Sequence, residues 1–143
     1  MIGSGFIADV HLQVLQSVAD VEVVALCDVS EERAASLASK YAVAQTFTSI
    51  DEMAAGCELD AVHILVPPGL HRELAAQCLG HGWHTLVEKP MVLRSAEVEE
   101  LAQLAEQKGL VLAVNHNQAW HPAIKHLERA AVAGRIGRLE QLT

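Results

Sequence analysis

The chain has 143 residues, is 51% apolar and 20% charged, and carries a formal net charge of −8. That length suits one domain with a core of its own, and the apolar share excludes a disordered chain. The negative charge argues against nucleic acid or an anionic membrane surface as partner, and no apolar run nears the roughly 20 residues a bilayer crossing needs.

A phosphate ligand stays open, because backbone amides at a helix start hold an anion without a basic surface. The start lacks a charged segment followed by an apolar one, so no signal peptide is read there. Cys27, Cys57 and Cys78 are odd in number and widely spaced, as expected of reduced thiols in a cytoplasmic protein. Eight histidines are present without metal-ligand spacing, so no metal is expected.

Only Met1 and Ile2 precede a glycine-rich turn, GSGFIA, at residues 3–8. Residues 6–19 carry apolar side chains at helical spacing. The run VEVVALCD at 21–28 is short and rich in valine, as a buried parallel strand requires. Ser30 is placed to cap a helix running to about Tyr41, with Glu31 and Glu32 in its first turn. A short strand near 43–47 and a short helix near 50–55 follow. DAVHILVP at 60–67 is the second strongly apolar strand and ends in Pro67-Pro68.

Residues 70–80 form an amphipathic helix, closed by Gly80 and Gly82. WHTLVEKP at 83–90 is a strand that ends in charge. Ser95 is read as the cap of a helix over 96–108, which Gly109 terminates. LVLAVN at 110–115 is a further strand. Pro122 opens a helix running to Gly134.

Strands alternating with helices of this length mean βαβ units, hence an α/β fold with a parallel sheet and right-handed crossovers. Ligands of such sheets bind outside the carboxyl ends of the strands, where strand order reverses. The GSGFIA turn, Asp28, Val66-Pro67-Pro68, Glu88-Lys89-Pro90 and Asn115 to Trp120 all fall at predicted strand ends.

The turn has the pattern G-x-G-x-x-A. Gly3 permits the tight turn, Gly5 lets a diphosphate approach the backbone, and Ala8 lets the helix pack close to the sheet. Asp28 stands 20 residues beyond Ala8, where an acid binds the adenine-ribose hydroxyls. A loop aspartate capping the next helix is the plainer reading of Asp28 alone. Together the two features point to a dinucleotide, and the carboxylate favours NAD over NADP because it repels a 2′-phosphate. Arg33 lies within reach in sequence, about one turn into the helix.

Lys89 follows an apolar strand and hangs over the edge where a nicotinamide would lie. A lysine tuned by burial and by a nearby positive charge can take the proton that hydride transfer from an alcohol releases. Glu88-Lys89 is equally the pattern of a solvated surface pair. Pro90 fixes the placement, with a cis bond open to it.

In this order and spacing GSGFIA, LCDVS, VPPGLH, VEKP and NHNQAWHPAI resemble the N-terminal half of the glucose–fructose oxidoreductase, inositol dehydrogenase and rhizopine-catabolism (Gfo/Idh/MocA) oxidoreductase family. The resemblance covers essentially the whole chain. It implies a Rossmann-like, doubly wound parallel sheet in three layers, with Lys89 as the catalytic residue beside nicotinamide and substrate. It implies cofactor contacts from Gly3, Gly5, Phe6, Ile7, Asp28, Val66, Pro67, Pro68, His71, Glu88, Lys89 and Asn117. Val66 stands where threonine is common. Gln118 stands where an arginine often reaches the substrate, so it and Lys89 are the substrate candidates. Trp120 is expected as a core anchor, and His11 as packing.

The resemblance further implies a dinucleotide-binding domain over 1–137 with its first strand largely missing. Residues 138–143 read as a stub leading to an absent substrate domain. Loss of that central strand should leave neighbouring backbone unpaired and favour a homo-oligomer. The expected function is the cofactor half of a dehydrogenase acting on a sugar, cyclitol or nucleotide sugar, inactive in this form. The alternatives are a non-catalytic NAD-binding module acting through self-association or a partner, and a truncated frame without function.

Overall fold

The computed structural model describes residues 1–138. Five strands, β1 (Ala25–Cys27), β2 (Gln45–Phe47), β3 (Ala61–Ile64), β4 (His84–Val87) and β5 (Leu112–Val114), alternate with helices α1 (Phe6–Leu15), α2 (Glu31–Tyr41), α3 (Ile50–Gly56), α4 (His71–Gly80), α5 (Ser95–Lys108) and α6 (Pro122–Val132). All strand pairs are parallel: β1 with β2, and β4 between β3 and β5. The expected α/β doubly wound architecture is the one found.

The two groups of strands meet at Ile2, which bridges Cys27 on one side and Ile64 on the other. Ile2 N donates to His63 O and Leu65 N to Ile2 O, both at 2.8 Å. Cys27 N donates to Met1 O and Gly3 N to Cys27 O, also at 2.8 Å. Three residues thus do locally what a longer central strand would do. The backbone expected to be unpaired is paired at their level. The strand order runs outward in opposite directions from Ile2, which makes this line the switch point of the sheet.

Side-chain alternation along the strands builds a core on each face. Ala25 and Cys27 face one way with Val62, Ile64 and Val87, against Ile50 and Met53 of α3, Ala75, Cys78 and Leu79 of α4, and Leu101 and Ala105 of α5. Leu26 faces the other way with Leu65, against Ala8 and Leu12 of α1 and Leu37 and Ala38 of α2. Leu12 alone, 2% exposed, contributes roughly 2 kcal/mol by leaving water. The three cysteines are free, and Cys27 and Cys78 are buried in the first core.

Several boundaries differ from expectation. The strand read over 21–28 shortens to Ala25–Cys27, because residues before Ala25 lie below the level that Met1 and β2 reach. The first helix ends at Leu15 rather than 19, and the chain then turns through Asp20 at φ +63°. Ser95 is not a cap but the first helical residue of α5. Arg94 takes the N-cap place, and Glu97 Oε2 reaches back to accept from Arg94 N at 3.2 Å. Ser30 caps α2 as expected, its Oγ accepting from Arg33 N at 3.3 Å. The stub expected over 138–143 lies, from 139 on, outside the described residues.

Candidate functional site

Because every strand runs the same way, Gly3–Ile7, Asp28, Val66–Pro68, Glu88–Lys89 and Asn115 all emerge at one edge of the sheet. Gly3 and Gly5 divide the work of the turn. Gly3 sits at φ +94°, and a Cβ there would lie 2.6 Å from Leu65 O. Its conformation and its contact both demand glycine. Gly5, the N-cap of α1, has an ordinary φ of −88°, and a Cβ built on it meets no heavy atom within 4 Å. No fold requirement explains Gly5, and the open space in front of it fits an anionic group lying against the amides at the start of α1. Ser4 Oγ is buried beside it without a hydrogen-bond partner among the described residues. Phe6 and Ile7 are exposed at the mouth, while Ala8 is fully buried against the sheet.

A cavity of about 610 Å³ runs from Ser4, Gly5 and Phe6 along α2 past Arg33 to Lys40. Asp28 is bonded to two of its lining residues, Ser4 and Arg33. Asp28 Oδ2 accepts from Ser4 N at 2.8 Å, and Oδ1 accepts from Ser30 N at 2.8 Å and from Arg33 Nη2 at 2.7 Å. Burial works to raise its pKa, but the hydrogen bonds from Arg33, Ser30 and Ser4 outweigh that and hold the carboxyl below its usual range. Arg33, one turn into α2, thus reaches Asp28, while its own side chain remains 58% exposed.

Across the switch line the edge is built by β3, β4 and β5. Val66 is half-buried, and Pro67 and Pro68 are exposed, with Pro68–Leu70 forming a 3-10 turn into α4. His71 is 1% exposed, and its Nδ1 and Nε2 lie 2.8 Å from Pro90 O and 2.7 Å from Val66 O. Both ring nitrogens face backbone carbonyls, so His71 braces the Val66 loop to the Pro90 loop rather than presenting a nitrogen to a ligand. The Lys89-Pro90 peptide is cis. Lys89 is exposed, so the burial expected to tune its amine is not supplied by the described residues.

Glu88 is held firmly. Its Oε2 accepts from Lys89 N at 3.0 Å and its Oε1 from Asn115 Nδ2 at 2.6 Å. Burial would raise its pKa. The hydrogen bonds from Asn115 and Lys89 instead place it below the usual glutamate range. Behind it, Asn115 Nδ2 is 3.2 Å from His11 Nε2, and His11 Nδ1 is 3.1 Å from His63 Nδ1. Burial first, and the His11 ring second, push His63 down to about 4.

His11 is therefore more than packing, and His63 and Asn115 join it in a polar cluster that spacing along the chain does not reveal. The one signal available was Asn115 at the carboxyl end of an apolar strand. Asn117 and Gln118 lie exposed in a 3-10 turn, Asn117–Trp120, beyond β5. Trp120 overturns its expected role as a core anchor. It is 76% exposed, because the turn carries it off the sheet, and Lys125 Nζ lies over its ring, 4.9 Å from the centroid.

The model of a family described as "Oxidoreductase family, NAD-binding Rossmann fold" matches residues 1–116. Among curated relatives, a scyllo-inositol 2-dehydrogenase (NADP(+)) of Bacillus subtilis is 35% identical over 129 residues, 90% of this chain and 39% of its own. A 4-carboxy-2-hydroxymuconate-6-semialdehyde dehydrogenase of Sphingobium is 30% identical over 136 residues, 95% of this chain and 43% of its own. A crystal structure of GenD2 from gentamicin A biosynthesis in complex with NAD is 30% identical, with a TM-score of 0.88 over 94% of this chain and 38% of its own. The chain thus spans about 40% of the length of the relatives it matches.

Proposed function

Since this chain belongs to the oxidoreductase family with the NAD-binding Rossmann fold, we propose that its carboxyl edge takes NAD and forms the cofactor half of a dehydrogenase. The reaction moves hydride between nicotinamide and a hydroxyl of a sugar, cyclitol or nucleotide sugar. One observation carries this reading: the space before Gly5, the Asp28 carboxylate and the Glu88-Lys89 pair share one sheet edge and flank its switch point.

In this reading the amides of Gly3 to Ile7 hold the diphosphate, and Asp28 receives the adenine-ribose hydroxyls. Val66, Pro67 and Pro68 line the cofactor, and His71 acts one step back by fixing two of the loops. Glu88 would flank the nicotinamide riboside, and Asn117 would contact the cofactor. When bound, the nicotinamide supplies the hydride acceptor. Lys89 Nζ would take the hydroxyl proton of the alcohol. Gln118 offers the substrate a neutral amide. NAD is favoured over NADP by the low-pKa carboxylate of Asp28, and Arg33 tempers that preference by offsetting its charge.

The decisive experiment is calorimetric titration of the chain with NAD, with NADP and with ADP-ribose. Saturable binding of NAD that weakens about tenfold or more in Asp28→Ala supports the reading. Absence of saturable binding to any of the three overturns it.

A further inference from the structure

Four side chains from four different segments form one file behind the nicotinamide-side edge. Glu88 directly follows β4, Asn115 directly follows β5, His11 lies on α1 and His63 on β3. A carboxylate only accepts, so the Asn115 atom 2.6 Å from Glu88 Oε1 is the amide nitrogen. The second hydrogen of that NH₂ meets His11 Nε2 at 3.2 Å, which must therefore carry a lone pair. A neutral ring with a lone pair on Nε2 holds its proton on Nδ1. That proton points at His63 Nδ1, 3.1 Å away, so His63 keeps its own proton on Nε2. Every member then has one role, and the file reads Glu88 ← Asn115 → His11 → His63.

We infer that His11, locked in its Nδ1–H form by His63, is a positioning residue that fixes the Asn115 amide and through it the Glu88 carboxylate. The opposite tautomer would turn an N–H of His11 against an N–H of Asn115, and the amide would have to leave one of its two acceptors. His63 suits the role because its partly buried ring can only accept at Nδ1 once His11 donates. The inference extends the nicotinamide reading above, but its first test does not depend on it.

That test is long-range proton–nitrogen NMR on the ligand-free chain with labelled histidine, near neutral pH. Nδ1–H on His11 with Nε2–H on His63 is expected, and any other pattern on His11 overturns the inference. The functional test compares NAD with ADP-ribose, which lacks the nicotinamide. His11→Phe and Asn115→Ala should weaken NAD about tenfold and leave ADP-ribose within twofold, whereas His11→Gln, able to accept from Asn115 and donate to His63, should restore NAD. Equal loss of both ligands would mean that the file only holds the fold, which also overturns the inference. A wild-type chain that binds neither ligand removes the dinucleotide reading, and the tautomer assignment alone then decides.

Discussion

Gly3→Ala and Gly5→Ala place the same methyl group two residues apart and should fail in opposite ways. At Gly3 the new Cβ would lie 2.6 Å from Leu65 O and 2.9 Å from Leu65 C, at a φ of +94° that alanine resists. The strained conformation costs about 1–3 kcal/mol. Both clashing atoms are backbone, so relief must come from moving the chain that donates Leu65 N to Ile2 O, a bond worth about 1 kcal/mol more. A loss of ~2–4 kcal/mol is expected from urea unfolding followed by circular dichroism. At Gly5 the φ is −88° and no atom lies within 4 Å, so stability should change by about 1 kcal/mol or less, the size of an N-cap effect. Its methyl instead fills the space assigned to the diphosphate. Loss of a charge-assisted bond from a backbone amide, about 1.5–3 kcal/mol, weakens NAD roughly 10- to 150-fold in calorimetric titration. Gly5→Ala binding NAD within twofold of wild type, or unfolding as early as Gly3→Ala, would refute this division of labour.

Three further outcomes follow from the same geometry. His63 titrates near 4 when folded against an ordinary 6.5 when unfolded, so the unfolded chain alone takes up the proton as pH falls from about 6.5 toward 4. Stability should drop across that window by at most about 3 kcal/mol, and denaturation of His63→Phe should show a shallower decline. Arg33→Ala removes the cation that offsets Asp28 at 2.7 Å, and the ratio of NAD to NADP affinity should rise about fivefold, an unchanged ratio counting against any part for Arg33. Of the two tryptophans, Trp120 is 76% exposed and Trp83 5%, so iodide should quench the emission of the Trp83→Phe variant strongly and that of Trp120→Phe weakly.

What could be read along the chain was whatever depends on neighbours in sequence. The Ser30 cap, the valine-rich run over 21–28 and the succession of apolar runs gave the parallel sheet, and parallelism gathered Asp28, Val66 and Glu88 at one edge. The His11–His63 and His11–Asn115 contacts join residues 52 and 104 positions apart, and no periodicity encodes such pairs. His71 looked available because its burial depends on the distant Pro90 loop. Trp120 was expected in the core, whereas the turn that carries it leaves it exposed. Ser95 lost its capping role because the helix starts one residue earlier than read, with Arg94 at the N-cap and its backbone N–H held by Glu97.

The seam at Ile2 has a mechanical consequence. The β1–β2 ribbon and the β3–β4–β5 ribbon are joined through the backbone of Met1–Gly3, which makes three hydrogen bonds to the β1 side and two to the β3 side. An elongated ligand laid over the seam, with one end on Asp28 and the other on Glu88, would act as a clasp. Its grip should appear as slowed hydrogen exchange at the Leu65 and Cys27 amides, far more than at the amides inside either ribbon.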